Sequence, residues 1–412
     1  MSDNYELEKT EHQETLNDRN KSIFGVDRIE PMFGGGKRDW SVDVLRCLSC
    51  FLVCAIHATD FTVIYSVTDM GANEYLHHEI YRMAVASPTV LFVMVSGIFF
   101  LSPERNVTAA KVWKKNVLKM TFAYIFWCLV YALYRIYMMD PQPEFTTSLL
   151  IREWTKEPGH LWYIPMIVGM YIICPIIRPI TATYNKKLFA YIIVVFMGGM
   201  ILWTIYNWPT VPAEGSMTRL IIDKTPKALL CHYPFWMLFG WIAYTYRPRV
   251  GLRYVIYAIG ILAAIVGIMI NIHYYNALGD TNMTAVTQKF GILQFLKNTA
   301  LFYFILTVFR DHKFSRLSKA ILRKWSDYTL LIYLVHELFL LVMYNHGFYY
   351  NGGGIPWLGV WIYAIIAYVG GGLFALCFHL MWDPVKARFF TKKRSEKKYD
   401  GIEKKEQTKE VS

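Results

Sequence analysis

The sequence predicts an all-α polytopic membrane protein of about ten transmembrane helices, with both termini cytoplasmic. Three observations carry that expectation. Of 412 residues, 55% are hydrophobic and 17% aromatic, the mean hydropathy is +0.27, and no stretch of soluble-domain length separates the apolar runs. Those runs recur at the roughly 20 residues needed to cross a bilayer. The basic residues behind the net charge of +12 alternate between successive loops, the signature of membrane orientation. Charge alone would also fit a nucleic-acid binder. Here the bases sit between apolar spans rather than along one surface, so no nucleic-acid partner is expected.

Residues 1–38 are polar and end in Gly34-Gly35-Gly36-Lys37-Arg38, which reads as a disordered cytoplasmic tail. The first apolar run begins too late for a secretory signal. Residues 39–385 form the membrane domain, and residues 386–412 a basic cytoplasmic tail. Spans are expected at about 40–65, 81–101, 117–138, 161–180, 188–206, 228–246, 254–272, 290–310, 326–345 and 357–382. Loops after the even-numbered spans hold Lys111, Lys114 and Lys115, then Arg178, Lys186 and Lys187, then Arg247, Arg249 and Arg253. The last holds Arg310, Lys313, Arg316, Lys319, Arg323 and Lys324. The positive-inside rule makes those loops cytoplasmic.

The first span, W-S-V-D-V-L-R-C-L-S-C-F-L-V-C-A-I-H-A-T-D, carries Asp43, Arg46, His57 and Asp60. An Arg near mid-helix costs roughly 2.5–3.5 kcal/mol on insertion scales. At about 100° per residue, Arg46 and His57 lie within about 20° of each other and roughly 16 Å apart along the axis. Asp43 and Asp60 fall within about 60° of the same line. An Asp43–Arg46 boundary ion pair and a satisfied buried His57 would explain the residues singly. Four ionisable groups on one face favour a functional site, with Asp60 placed to orient the His57 imidazole.

The second span ends in V-S-G-I-F-F, where Ser96-Gly97 permits close backbone approach or leaves room for a thin substrate. Lys111, Lys114, Lys115 and Lys119 cluster at the start of the third, facing either anionic membrane lipids or a phosphate-bearing ligand. The fourth opens G-H-L-W-Y-I-P, with His160, Trp162 and Tyr163 where an aromatic belt is expected. Pro165 and Pro175 mark kinks within it. The ninth, W-S-D-Y-T-L-L-I-Y-L-V-H-E, carries Asp327, His336 and Glu337 as a second intramembrane ionisable set, with Glu337 a ready partner for His336. All seven cysteines fall within or at the edge of spans and make no disulfide framework. Cys47, Cys50 and Cys54 near His57 read as small packing thiols rather than metal ligands, and no metal is expected.

Taken in order, D-V-L-R followed by His57, V-S-G-I-F-F, H-L-W-Y-I-P-M-I-V-G-M-Y-I-I-C-P and T-L-L-I-Y-L-V-H resemble the acyltransferase-3 family over about residues 38–385. That family comprises integral membrane O-acyltransferases, including surface-polysaccharide O-acetyltransferases. One departure is visible: where the family shows an R-x-x-R-like motif before the third span, this chain reads Lys114-Lys115-Asn116-Val117-Leu118-Lys119. The resemblance implies cytoplasmic acetyl-CoA as donor, its phosphates meeting Arg46, Lys114, Lys115 and Lys119. It implies a hydroxyl acceptor, most often on a cell-surface or lipid-linked carbohydrate, presented at or beyond the outer face of the cell membrane.

His57 would act as general base or carry the acyl group covalently, with His336 secondary. Asp43, Ser96, Gly97, Trp162, Tyr163, Tyr333 and Glu337 would shape the site or the substrate path. No appended soluble domain is read, so transfer would finish within the membrane domain or with a separate partner protein that delivers the acceptor. The rival reading is a transporter or flippase with a proton relay through Arg46, His57, His336 and Glu337. The absence of visible inverted repeats counts against it.

Overall fold

The computed structural model describes residues 26–28, 38–66, 72–86, 88–139, 145–156, 158–206, 232–278, 291–346 and 358–383. Among them, nine helices are long and apolar enough to cross a membrane. In chain order the elements are strand β1 (Val26–Arg28), α1 (Trp40–Ser66), α2 (Ala72–Val85) and α3 (Pro88–Phe100). Next come α4 (Ala109–Met139), the short α5 (Thr147–Thr155), α6 (Tyr163–Ala182), α7 (Lys186–Tyr206) and α8 (His232–Thr245). Strand β2 (Tyr246–Pro248), α9 (Val250–Leu278), α10 (Ile292–Arg310) and α11 (Arg316–Asn345) precede α12 (Leu358–Asp383).

Local chemistry accounts for the boundaries. Pro88 opens α3 at the position where a missing N–H costs nothing. The Thr108 hydroxyl accepts from Lys111 N at 3.3 Å, and Ser315 Oγ accepts from Ser318 N at 3.1 Å, each satisfying a free first-turn donor. These caps start α4 and α11 several residues before the expected spans at 117 and 326. Lys111 to Lys119, and Lys319 to Lys324, therefore ride on the first turns of helices rather than in loops. Hydropathy registers only the apolar part of such a helix, while Lys and Arg stems extend it by reaching back toward water. Arg178, counted with the basic residues of the fourth loop although inside the expected span at 161–180, lies within α6. Its guanidinium donates to the carbonyls of Phe100, Ser102 and Arg105 at 2.7, 3.1 and 2.8 Å, closing the end of α3.

Helix α1 lies at the centre, packed against α2, α3, α10 and most extensively α11. Beside it, α3 and α8 cross at small residues. A Cβ on Gly97 would sit 1.8 Å from the Met237 carbonyl oxygen, and one on Gly240 would sit 2.3 Å from that of Met94. Lys297 on α10 donates to the carbonyls of Met83 and Ala86 at 2.8 and 2.9 Å, tying off the end of α2. The only departure from an all-helical chain among the described residues is the pairing of β1 with β2. It engages three residues of the tail that the sequence reads as disordered.

Candidate active site

At one end of the bundle the Arg38 fork grips Asp43, with Nε and Nη2 at 2.5 and 2.8 Å from the two carboxylate oxygens. Ser326 Oγ donates to Asp43 at 2.6 Å, and Arg38 also reaches Asp327 at 3.3 Å. Asp43 thus ties the start of α1 to α11. The anticipated Asp43–Arg46 pair does not form, because Arg38 approaches bidentately from the preceding turn. Arg46 is left half-buried, with one long hydrogen bond to Thr329 Oγ1 at 3.4 Å. Among the described residues its guanidinium has no carboxylate partner.

Three turns further along α1 stands His57. Helix α11 brings His336 and Glu337 to it, and the 3₁₀ turn Gly159–Trp162 brings His160. The His57 ring centroid lies 5.2 Å from that of His336 and 6.2 Å from that of His160, and the latter two are 5.2 Å apart. Glu337 Oε2 stands 4.0 Å from His57 Nδ1 and 3.9 Å from His336 Nε2. His57 and Glu337 are 21% and 18% exposed, whereas His336 is fully enclosed and His160 is 2% exposed. The first two therefore face accessible space, with the other two behind them.

The supporting shell is aromatic. His336 Nδ1 lies 2.6 Å from the Tyr333 carbonyl, which can only accept, so Nδ1 carries the proton and neutral His336 presents a bare Nε2 toward Glu337. The Tyr333 hydroxyl donates to the His160 carbonyl, and the Tyr131 hydroxyl to that of Leu334 at 3.0 Å. Tyr163 packs edge-on to Tyr333 at 5.6 Å and lies 6.4 Å from Trp162. Ser96 Oγ donates to Phe92 O of its own helix at 3.0 Å. Tyr163, packed 6.1 Å from the Phe92 ring, links that part of α3 to the histidines.

The remaining expected residues stand elsewhere. Lys114, Lys115 and Lys119 are exposed on a face of α4 that continues into exposed Phe122 and Phe126. That continuity aligns them with the surface a bilayer would cover, and no contact joins them to Arg46. The Asp60 side chain lies outside the described residues, and Glu337 is the described carboxylate nearest His57. His160 is the residue that the sequence reading missed. Its neighbours Trp162 and Tyr163 fitted an aromatic belt, and the signal for something else was Pro158-Gly159, which starts the 3₁₀ turn that tucks His160 inward. Among the described residues no three His, Cys, Asp or Glu side chains are placed to hold a metal ion.

A short staple joins the end of the α4 span to α5, which lies outside the spanning segments. Arg135 Nη2 donates to the carbonyls of Glu153 and Lys156 at 2.5 and 3.1 Å, closing the C-terminal end of α5. Lys156 Nζ and Arg135 Nε approach the Glu153 carboxylate at 2.6 and 3.2 Å. The bonded Lys156 ammonium, followed by Arg135, holds that carboxyl below its usual range.

Three imidazoles and a carboxylate, deep among helices long enough to span a bilayer, define a multi-pass membrane protein with an ionisable site inside it. A family model described as an acyltransferase domain matches residues 39–377, so the chain belongs to the acyltransferase-3 family and is a membrane acyltransferase. Neither the comparison with curated proteins nor that with solved structures returned a match.

Proposed function

We propose that this protein is an O-acyltransferase that moves an acetyl group from cytoplasmic acetyl-CoA to a hydroxyl of a cell-surface or lipid-linked carbohydrate, across the plasma membrane. The observation that carries the reading is the pairing of accessible His57 with Glu337 on one side and with Arg46, three turns away on α1, on the other. A cation without a carboxylate partner suits donor phosphates, and a guanidinium can meet them bidentately. The imidazole backed by a carboxylate suits removal of a hydroxyl proton.

In the proposed step the acceptor oxygen attacks the thioester carbonyl as its proton passes to His57. The C–S bond then breaks, and the proton leaves with the sulfur. Glu337, about 1 Å beyond hydrogen-bond range of His57, stabilises the imidazolium, and Asp60, one turn further along α1, orients the ring. That arrangement favours general-base action over a covalent acyl-histidine. His336 packs behind Glu337, its ring fixed by the Nδ1 hydrogen bond to the Tyr333 carbonyl. Lys114, Lys115 and Lys119 serve anionic lipid headgroups at the cytoplasmic rim.

The test is purified protein in liposomes with labelled acetyl-CoA. His57→Ala should lower acyl transfer and donor hydrolysis by at least about 100-fold, the low end of general-base contributions, while expression and insertion persist. A variant within about threefold of wild type would sink the assignment, and solute movement without donor consumption would support a transporter instead.

A further inference from the structure

We infer that His160 is a catalytic residue whose ring N–H binds the oxyanion formed during acyl transfer, an inference that rests on the acyltransferase reading of the His57 site. Neither ring nitrogen of His160 makes a hydrogen bond of normal geometry among the described residues, although the side chain is 2% exposed; the Leu334 carbonyl, which already accepts from the Tyr131 hydroxyl, is the one described acceptor that bears on the ring. A neutral imidazole carries one N–H and one lone pair, and buried polar groups of native proteins are nearly always paired. A ligand drawn in against His57 is the natural partner for an unpaired one enclosed directly behind it.

The neighbouring donors are already committed. His336 gives its Nδ1 proton to Tyr333 O, the Tyr131 hydroxyl is bonded to Leu334 O, and the Tyr333 hydroxyl is bonded to the His160 carbonyl. Glu337 as a carboxylate accepts only. His160 faces the base, its ring 6.2 Å from His57 and turned 77° to it, so a reacting carbonyl seated against His57 lies within reach of both rings.

Position and rigidity fit the role. The His160 backbone is held by Tyr333, its ring by Tyr131 edge-on at 4.8 Å, and the chain just before it by the Arg135 staple. Acyl transfer passes through a tetrahedral adduct in which the carbonyl π electrons move onto oxygen. A preorganised donor aimed at that oxygen accelerates the reaction because it need not reorganise as charge develops. When the adduct collapses, the C–S bond breaks, the electron pair returns to the carbonyl, and His160 keeps its proton throughout.

The experiment compares His160→Gln with His160→Met, side chains of similar size of which only Gln has an N–H. Both are measured beside wild type and His57→Ala in liposomes, reading acetate released from labelled acetyl-CoA across pH. His160→Met should lower kcat by about 100-fold or more with donor KM within about threefold, and His160→Gln should recover at least about tenfold of that loss. The residual rate should keep the pH dependence of wild type, because the N–H donor is not the base.

Three results overturn the inference: His160→Met within threefold of wild type, Gln no better than Met, or a pH limb that disappears with His160. Should wild type be active and His57→Ala inactive while His160→Met is unchanged, this inference fails and the base assignment stands. Should wild type release no acetate from the donor, both fail together.

Discussion

Replacing Gly97 with alanine tests how closely α3 and α8 are held. The added Cβ would lie 1.8 Å from Met237 O, about 1.6 Å short of ordinary contact at 3.4 Å. The obstacle is helix backbone, which cannot swing aside as a side-chain tip can. The two helices must separate by more than an ångström along a contact that buries Met94, Trp236 and Met237. A radial gap of 0.5–1 Å already forfeits about a quarter to a half of each contact's attraction. Since overpacking commonly costs 1–3 kcal/mol, the loss here should be about 3 kcal/mol or more. Gly240→Ala, facing Met94 O at 2.3 Å, should behave similarly. Gly169 in α6 is the control: nothing lies within 4 Å of its Cβ position, and alanine there should stabilise by up to about 1 kcal/mol through helix propensity alone. Unfolding free energies in mixed micelles would rank the variants. Gly97→Ala as stable as Gly169→Ala would refute the close crossing.

Arg46→Lys keeps the charge and removes the fork, so acetyl-CoA binding should weaken by about 1.5–3 kcal/mol. Unchanged affinity, measured by calorimetry, would return Arg46 to a packing role with Thr329. Glu153 gives a pH test. Its carboxyl is held below the usual range by Lys156 and then Arg135, so its contribution is present above the unfolded value of about 4.3 and is lost as pH falls through the depressed folded value. Glu153→Gln should therefore be less stable than wild type at neutral pH. The two unfolding curves should converge in acid, and a constant difference across pH would contradict the staple.

The class of fold was legible because a span's length and apolarity are properties of composition: α1, α3, α4 and α6 through α12 fall on the expected runs, while α2 and α5 have no run of their own. Helix starts were not. Thr108 and Ser315 act through hydrogen bonds that hydropathy ignores, and basic helical turns look like loops in charge alone. Within the site, Arg46 and His57 stood out because charge inside a span is costly. Their partners did not, since Arg38 reaches Asp43 by a fork whose direction depends on geometry rather than spacing. Glu337 could be paired with His336 from adjacency, but its approach to His57 depends on α11 packing against α1. His160 lay hidden because the four residues of a 3₁₀ turn carry no periodicity to read.

The small ribbon beside the bundle has a topological meaning. Val26, Asp27 and Arg28 stand opposite Pro248, Arg247 and Tyr246, and backbone hydrogen bonding confines both strands to one side of a bilayer. A chain that departs at Trp40 and comes back at Tyr246 must then cross an even number of times. Among the described residues between those points, five segments are long and apolar enough to cross: Trp40–Thr59, Ile80–Phe100, Ala109–Met139, Gly159–Ala182 and Lys186–Ile205. Five is odd, so α8, too short to qualify by length, has to supply the sixth passage. Four more follow in Val250–His273, Ile292–Arg310, Arg316–Asn345 and Leu358–Asp383, and with one crossing each the last ends on the side where the ribbon sits. On that count the passage that parity requires falls on α8, where the sequence expects the span at about 228–246.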